Sequence, residues 1–248
     1  MKPVFEVTKG MREKVSHYCP GCTHGIAHRL IMEVLDERGQ LGDAIGVSPV
    51  GCSIVAHQYL NVDMIEASHG RAPAVASGIK RVHPNSPVFT YQGDGDLASI
   101  GIGELIHAAG RGEKFCTFFI NNAIYGMTGG QMAPTTLVGQ KATTCVDGRT
   151  VEQAGNPLRI CELLNTIDGA VYVERVSLHS PGAVRVAKKA IHRAFEVQEK
   201  GLGYAFVELL STCPTNWGMT PVKATEWLKE NMIPYYPVKQ FKCPEEVK

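Results

Sequence analysis

Short apolar runs alternate with amphipathic stretches along the chain, and the alternation predicts the order of its elements. Within residues 23–38, Ala27, Leu30, Ile31, Val34 and Leu35 recur at helical spacing, and Gly39 stops the helix they imply. Residues 43–47 and 62–67 read as short strands, and 71–83 as a helix ended by Pro84. Residues 87–92 form a strand running into glycines, and 97–110 a helix. Residues 115–120 are a continuous apolar run, the mark of a strand buried on both faces. Residues 123–155 are polar, rich in Gly and Thr, and without period. A loop of that length inside a compact domain is usually functional or disordered. Asn156-Pro157 and Ser180-Pro181 each join a capping residue to a favourable first helical residue, which predicts helices reaching about Thr166 and Lys200. Residues 171–175 and 204–210 follow them as strands. The pattern implies an α/β fold, a mostly parallel sheet covered by helices on both faces. Ligands of such sheets bind beyond the carboxyl ends of the strands, so function should lie just after Val47, Ala67, Gln92, Ile120 and Leu210.

Composition narrows the classes. The chain has 248 residues, 44% of them hydrophobic and 20% charged, which describes a globular protein able to bury roughly 70% of its unfolded surface. Lys and Arg number 25 against 24 Asp and Glu, for a net charge of +1. That balance leaves no electrostatic footprint for nucleic acid. No apolar run approaches the roughly 18 residues of a membrane span, and residues 1–14 lack the apolar core of a signal peptide. A cytoplasmic address is expected. In a reducing compartment the eight cysteines point to metal, redox or catalytic use rather than a disulfide framework.

Two constellations carry chemistry. Gly93-Asp94-Gly95-Asp96 follows one expected strand directly, and Asn121-Asn122 follows the next. Glycines at a strand-to-helix turn let backbone N–H groups approach a diphosphate, but Asp94 would repel one. The conflict disappears if Asp94 holds Mg²⁺, a hard cation that takes one or two carboxylates, neutral oxygens and phosphate. Asn122 would add an amide oxygen and a carbonyl near Ile124 another. Gly93-x-Gly95-x-x-Ala98 also has the form of a dinucleotide fingerprint, yet the acid that would bind the ribose is replaced by Asn121 and Asn122. The second constellation is cysteine. Cys19-Pro-Gly-Cys22 precedes a helix, while Cys52 and Cys213 each follow a strand at the same sheet edge. Four converging thiolates suit a Cys₄ zinc or a [4Fe–4S] cluster. Cys116 reads as a core residue; Cys145, Cys161 and Cys243 have no partner spacing.

In order, the chain carries Cys19-Pro-Gly-Cys22, Gly51-Cys52-Ser53, His69-Gly-Arg-Ala72, Gly93-Asp-Gly-Asp96, Tyr125-Gly-Met-Thr-Gly-Gly-Gln131 and Cys213-Pro-Thr215. This array resembles the β subunit, the thiamine-diphosphate-binding chain, of 2-oxoacid:ferredoxin oxidoreductases of the 2-oxoisovalerate or 2-oxoglutarate type. The resemblance covers residues 17 to about 217. It divides the chain into a cofactor domain, 1–217, and a C-terminal helix and tail, 218–248, expected to pack on a partner subunit.

The resemblance implies thiamine diphosphate held through Mg²⁺ or Ca²⁺, with Asp94, Asn122 and the carbonyl of Ile124 as metal ligands. It implies a [4Fe–4S] cluster on Cys19, Cys22, Cys52 and Cys213. Gly51, Cys52, Ser53, His69, Gly93, Gly95, Asp96, Tyr125, Gly126, Met127 and Thr128 are expected around the cofactor, together with Gln131. His69 and Arg71 are the candidates for contacting the diphosphate or a carboxylate and for moving protons; His57 is a weaker one. The implied reaction is oxidative decarboxylation of a 2-oxoacid to an acyl-CoA, with coenzyme A as co-substrate and ferredoxin as acceptor. No acid here matches the glutamate that activates the cofactor, which other subunits must supply. The apolar Ser53-Ile-Val-Ala56 favours 2-oxoisovalerate over 2-oxoglutarate. Arg185, Lys188, Lys189, His192 and Arg193 read as a solvated helix face rather than a ferredoxin dock. The alternatives are a cluster-free thiamine decarboxylase or synthase, and an iron–sulfur electron-transfer subunit without thiamine.

Overall fold

In the computed structural model, which describes residues 6–247, seven strands form one sheet: β1 (Ile45–Ser48), β2 (Asp63–Glu66), β3 (Val88–Gly93), β4 (Cys116–Asn121), β5 (Ala170–Ser177), β6 (Tyr204–Leu210) and β7 (Lys239–Lys242). Residues 1–5, the start of the segment considered above for a leader, and Lys248 lie outside the described residues. The strand order is β2-β1-β3-β4-β6-β5-β7. Every neighbouring pair is parallel except β5 and β7. The continuous apolar runs became the middle of the sheet, where β4 and β6 bury every residue.

Helices α1 (His24–Glu37), α2 (Ala72–Val82), α3 (Ile102–Gly110), α4 (Val151–Ala154), α5 (Ile160–Leu164), α6 (Pro181–Glu199), α7 (Pro214–Trp217) and α8 (Pro221–Trp227) surround the sheet. One face packs α1 and α6 on Phe89 and Phe118, and the other packs α2, α3 and α5 on Phe119 and Phe206. The expected two-faced α/β architecture is the observed one. No helix among the described residues is long and apolar enough to cross a membrane.

Three local expectations change. Ser180 caps α6, its hydroxyl accepting the Ala183 N–H at 3.2 Å, but Asn156 opens no helix. The loop is instead gathered by Arg149, whose buried guanidinium donates to the carbonyls of Ala133, Pro134, Thr136, Ala154, Gly155 and Asn156. With these carbonyls held by Arg149 and the Leu158 N–H on the Pro134 carbonyl at 3.0 Å, the stretch stays non-helical, and α5 starts only at Ile160. The helix after β3 begins as a wide π turn, Asp96–Ile100, broken at Ser99 (φ −105°, ψ −106°) before α3 continues. The third change is the edge strand β7, which short charged residues 239–242 did not announce. The tail folds onto its own chain. Leu228, Met232 and Tyr236 join Ala123, Leu137 and Leu210 in a small core, and the Tyr236 hydroxyl donates to the Thr135 carbonyl at 2.7 Å.

Two of the α6 cations, Lys188 and Arg193, are paired with carboxylates. Lys188 reaches Glu33 at 2.9 Å and Glu37 at 2.6 Å on α1, and Arg193 reaches Glu174 at 3.5 Å. They tie the helix to its neighbours.

Candidate functional site

The carboxyl ends of β1, β3 and β4 open into a cavity of about 410 Å³. Its walls include Gly51, Cys52, Ser53, His69, Gly93, Asp94, Gly95, Asp96, Asn122, Ile124, Tyr125, Gly126, Met127, Thr128 and Gln131. The edge chosen from strand alternation therefore gathers almost all the residues singled out in the sequence. Arg71 stands apart, paired with Glu104 on α3. His57 is also outside, its Nδ1 2.8 Å from the Ile54 carbonyl oxygen and 3.1 Å from Glu66. Two wall residues went unnoticed, Val50 and His24. His24 shares a helical stripe with Ala27, His28 and Ile31. That stripe was the available signal. Burial lowers the His24 pKa to about 4, and its Nδ1 lies 2.6 Å from the Tyr91 hydroxyl.

Asp94 is almost fully buried. Its Oδ1 accepts the Gly95 N–H at 2.8 Å and its Oδ2 the Thr135 hydroxyl at 2.6 Å. Burial nevertheless pushes its carboxyl up to about 6, against the pull of Thr135 and the amides of Gly95, Ala123 and Ile124. Gly95 is needed because a Cβ there would run into the Tyr125 ring. The two asparagines divide the work at the end of β4. Asn121 is an anchor, donating from Nδ2 to Glu208 Oε1 at 2.7 Å and accepting the Ala123 N–H at 3.2 Å. Ala123 is thereby held at φ 57°, a left-handed conformation that a non-glycine residue adopts at a cost. Asn122 has its carbonyl pinned by Trp217 Nε1 at 3.1 Å, while its side-chain Oδ1 is buried without a partner. A buried carboxylate short of positive charge and an orphaned amide oxygen on the same cavity wall form a donor set that fits a hard divalent cation.

Asp96 is placed differently. Its Oδ1 accepts from His69 Nδ1 and from the Gly70 N–H, each at 2.6 Å, and its Oδ2 from Gln92 Nε2 at 2.7 Å. It faces the protein.

The cysteines come together from three segments. Cys22 N–H closes the Cys19 turn at 3.0 Å. Gly21, at φ 79°, lets Pro221 approach to 2.5 Å of a would-be Cβ. The Thr212 hydroxyl holds the Gly21 carbonyl at 2.6 Å, and the hydroxyls of Thr23 and Ser211 meet at 2.6 Å, docking the turn over the end of β6. A Cβ on Gly126 would stand 3.3 Å from Cys52 Sγ and 3.6 Å from Cys213 Sγ. Asn216 Nδ2 donates to Cys213 Sγ at 3.3 Å and to the Gly126 carbonyl at 2.8 Å. Burial pushes the Cys22 thiol up to about 12, with Cys213, Cys52 and Cys19 adding to the effect. Cys52 rises to about 11 through burial, then Cys213 and Cys19. The four thiols share one locale. Among the described residues, however, no three His, Cys, Asp or Glu side chains stand close enough to hold a single metal ion. Cys116 and Cys161 are buried away from this group, and Cys145 and Cys243 bond only local carbonyls.

Comparison with known proteins shows the family to which the chain belongs. The family described as thiamine pyrophosphate enzyme, C-terminal TPP binding domain, matches residues 49–209. The 2-oxoglutarate synthase subunit KorB of Methanocaldococcus jannaschii is 38% identical over 230 residues, covering 90% of this chain and 80% of that one. The chain belongs to the thiamine pyrophosphate enzymes, among the 2-oxoacid oxidoreductase subunits. The ketoisovalerate oxidoreductase subunit VorA of Methanothermobacter thermautotrophicus is 52% identical over 239 residues, 96% of this chain but 50% of the relative. The chain thus spans about half the length of the most similar of these relatives. A solved structure, the 2-oxoglutarate:ferredoxin oxidoreductase from Magnetococcus marinus with 2-oxoglutarate, coenzyme A and succinyl-CoA bound, superposes with a TM-score of 0.75. It is 27% identical, and the match covers 89% of this chain and 71% of that one. The thiamine-diphosphate-binding fold expected from the motifs is the fold of this family.

Proposed function

We propose that this chain is the thiamine-diphosphate-binding subunit of a cytoplasmic 2-oxoacid:ferredoxin oxidoreductase, which converts a 2-oxoacid and coenzyme A to acyl-CoA and CO₂ while reducing ferredoxin. The observation that carries the reading is the pairing of buried Asp94 with the orphaned Oδ1 of Asn122 in the same cavity. Asp94, Asn122 and the Ile124 carbonyl would hold Mg²⁺ or Ca²⁺ and, through it, the diphosphate. Bound thiamine diphosphate supplies an electron sink for decarboxylation, and a [4Fe–4S] cluster on Cys19, Cys22, Cys52 and Cys213 supplies a one-electron acceptor beside it.

This chain's own residues set the pocket's character. Among the described residues no Lys or Arg lines the cavity, whereas Val50 and Met127 do. A distal carboxylate would find no fixed cation in this subunit, so 2-oxoisovalerate is favoured over 2-oxoglutarate. The name of the ketoisovalerate relative supports the same choice. The activating acid would come from a partner subunit. Residues 218–247 pack on their own chain by one side and would offer the other to such a partner.

The test is anaerobic co-expression with partner subunits, followed by iron, sulfide and thiamine analysis and assay with a panel of 2-oxoacids, coenzyme A and a viologen. The expected content is about four irons and one thiamine diphosphate per chain, with 2-oxoisovalerate the best substrate. Asp94→Ala should lose bound thiamine diphosphate while keeping iron. Absence of iron would leave a cluster-free thiamine enzyme, and retained thiamine in Asp94→Ala would overturn the metal assignment.

A further inference from the structure

The carboxylate of Asp96, two positions beyond the proposed metal ligand, is read from sequence as part of the cofactor's surroundings. Its geometry assigns it other work. Both oxygens are filled by protein donors: His69 Nδ1 and Gly70 N at 2.6 Å on one, Gln92 Nε2 at 2.7 Å on the other. Asp96 is 2% exposed and Gln92 fully buried, so little of the carboxylate is left for a diphosphate or a cation. The His69 side chain is 36% exposed against 1% for Asp96, and His69 is among the residues that line the cavity.

The backbone fixes the two together. The π turn Asp96–Ile100 closes with the Gly101 N–H on the Asp96 carbonyl at 2.9 Å, a wide turn of the kind found often at functional sites. Gly70 lies against it so closely that a Cβ there would stand 2.7 Å from Gly101 N and 2.8 Å from the Ile100 carbonyl carbon. The residue that follows His69 is therefore seated on the turn that carries Asp96. A ring that donates from Nδ1 to a carboxylate carries, when neutral, its lone pair on Nε2.

We infer that Asp96 is a positioning residue that holds His69 in the Nδ1–H tautomer, so that Nε2 stands in the cavity wall as a proton acceptor for the bound ligand. The inference rests on the functional reading above and deepens it. A proton taken from the ligand forms a new N–H bond at Nε2, the Nδ1–H stays on Asp96, and the positive charge of the ring then faces the buried carboxylate. No other co-reactant is needed. Gln92 braces the arrangement from β3. Its Oε1 is buried without a partner, so Asp96 is its side-chain anchor.

A double-mutant cycle on the assembled complex tests this. Asp96→Ala should lower kcat by about 100-fold, the scale of a positioned acid–base group, with KM and thiamine diphosphate affinity little changed. In a His69→Gln background the same change should cost less than about twofold, because Asp96 acts through the ring. Asp96→Asn keeps an oxygen for Gly70 and His69, and the free Oε1 of Gln92 can turn to meet its amide, so this variant should recover much of kcat. It also carries the cycle if Asp96→Ala does not assemble. A readout independent of turnover is the tautomer itself, read from the ¹⁵N chemical shifts of the His69 ring, which should report Nδ1–H in the wild type and a mixture of the two tautomers in Asp96→Ala. Additive losses in the cycle, or loss of thiamine diphosphate in both Asp96 variants, would overturn the inference while leaving the functional reading standing. A wild-type complex that oxidises no 2-oxoacid would overturn that reading and this inference with it.

Discussion

Asp94 shows how much a single buried group records about what it is built to hold. Its carboxyl sits at about 6 against an ordinary 3.8 because burial penalises the charge. The folded chain without a cation thus binds this proton more tightly than the unfolded chain does. Stability from the group is complete below pH 4 and is lost as pH rises to about 6, by about 3 kcal/mol for a shift near two units. Metal-free Asp94→Asn should therefore gain about 3 kcal/mol relative to metal-free wild type between pH 4 and pH 7. Urea unfolding at the two pH values measures it, and a difference that does not change with pH would refute it. Which residues meet at the site was largely readable, because Gly93-Asp94-Gly95-Asp96 and Asn121-Asn122 lie directly at strand ends. What each does was less so. Asp96 reads as part of the cofactor's surroundings until its bond to His69, 27 residues earlier, is seen. Asn121 looks like a twin of Asn122 until Glu208 claims it.

At the scale of elements, the segments that local signals specify appeared where expected, and those fixed by distant partners did not. Ser180 caps α6 through its own neighbour Ala183. Asn156 failed because Arg149 and the Pro134 carbonyl, which accepts the Leu158 N–H at 3.0 Å, hold that stretch in place. A larger latch joins three strands and a helix. Arg175 on β5 is fully buried, 2.7 Å from Glu208 on β6 and 2.6 Å from Glu162 on α5, and Glu208 in turn holds Asn121 on β4. Removing one member of such a group strands the others without compensation. Arg175→Met should destabilise the fold by about 3–5 kcal/mol, read as a shift of the urea midpoint. A loss below about 1 kcal/mol would show that water reaches Glu208 and that the latch is not closed.

For the whole molecule, the parallel sheet and its two helical layers followed from the alternation of apolar runs, since each run had to be covered on both faces. The return of the tail did not. β7 pairs only four residues at the sheet's edge, and Pro221 finds the Gly21 turn from two hundred positions away. The tail is part of the site's foundation, through Pro221 under the cysteine turn and Tyr236 on Thr135, the residue that bonds Asp94. A chain ending at Gly218 should lose bound thiamine diphosphate and iron together when isolated in its complex. Retention of both at wild-type levels would show that the tail serves only partner contacts.

The meeting of Thr23 with Ser211 spans 188 residues of sequence, and that distance has a consequence for biosynthesis. Cys19 and Cys22 leave the ribosome long before Cys213, which follows β6. A nascent chain cannot present the complete set until β6 has emerged and inserted between β4 and β5. The proposed cluster would then be loaded only after nearly the whole chain has been made, and a chain truncated before Cys213 would display three of its four thiols.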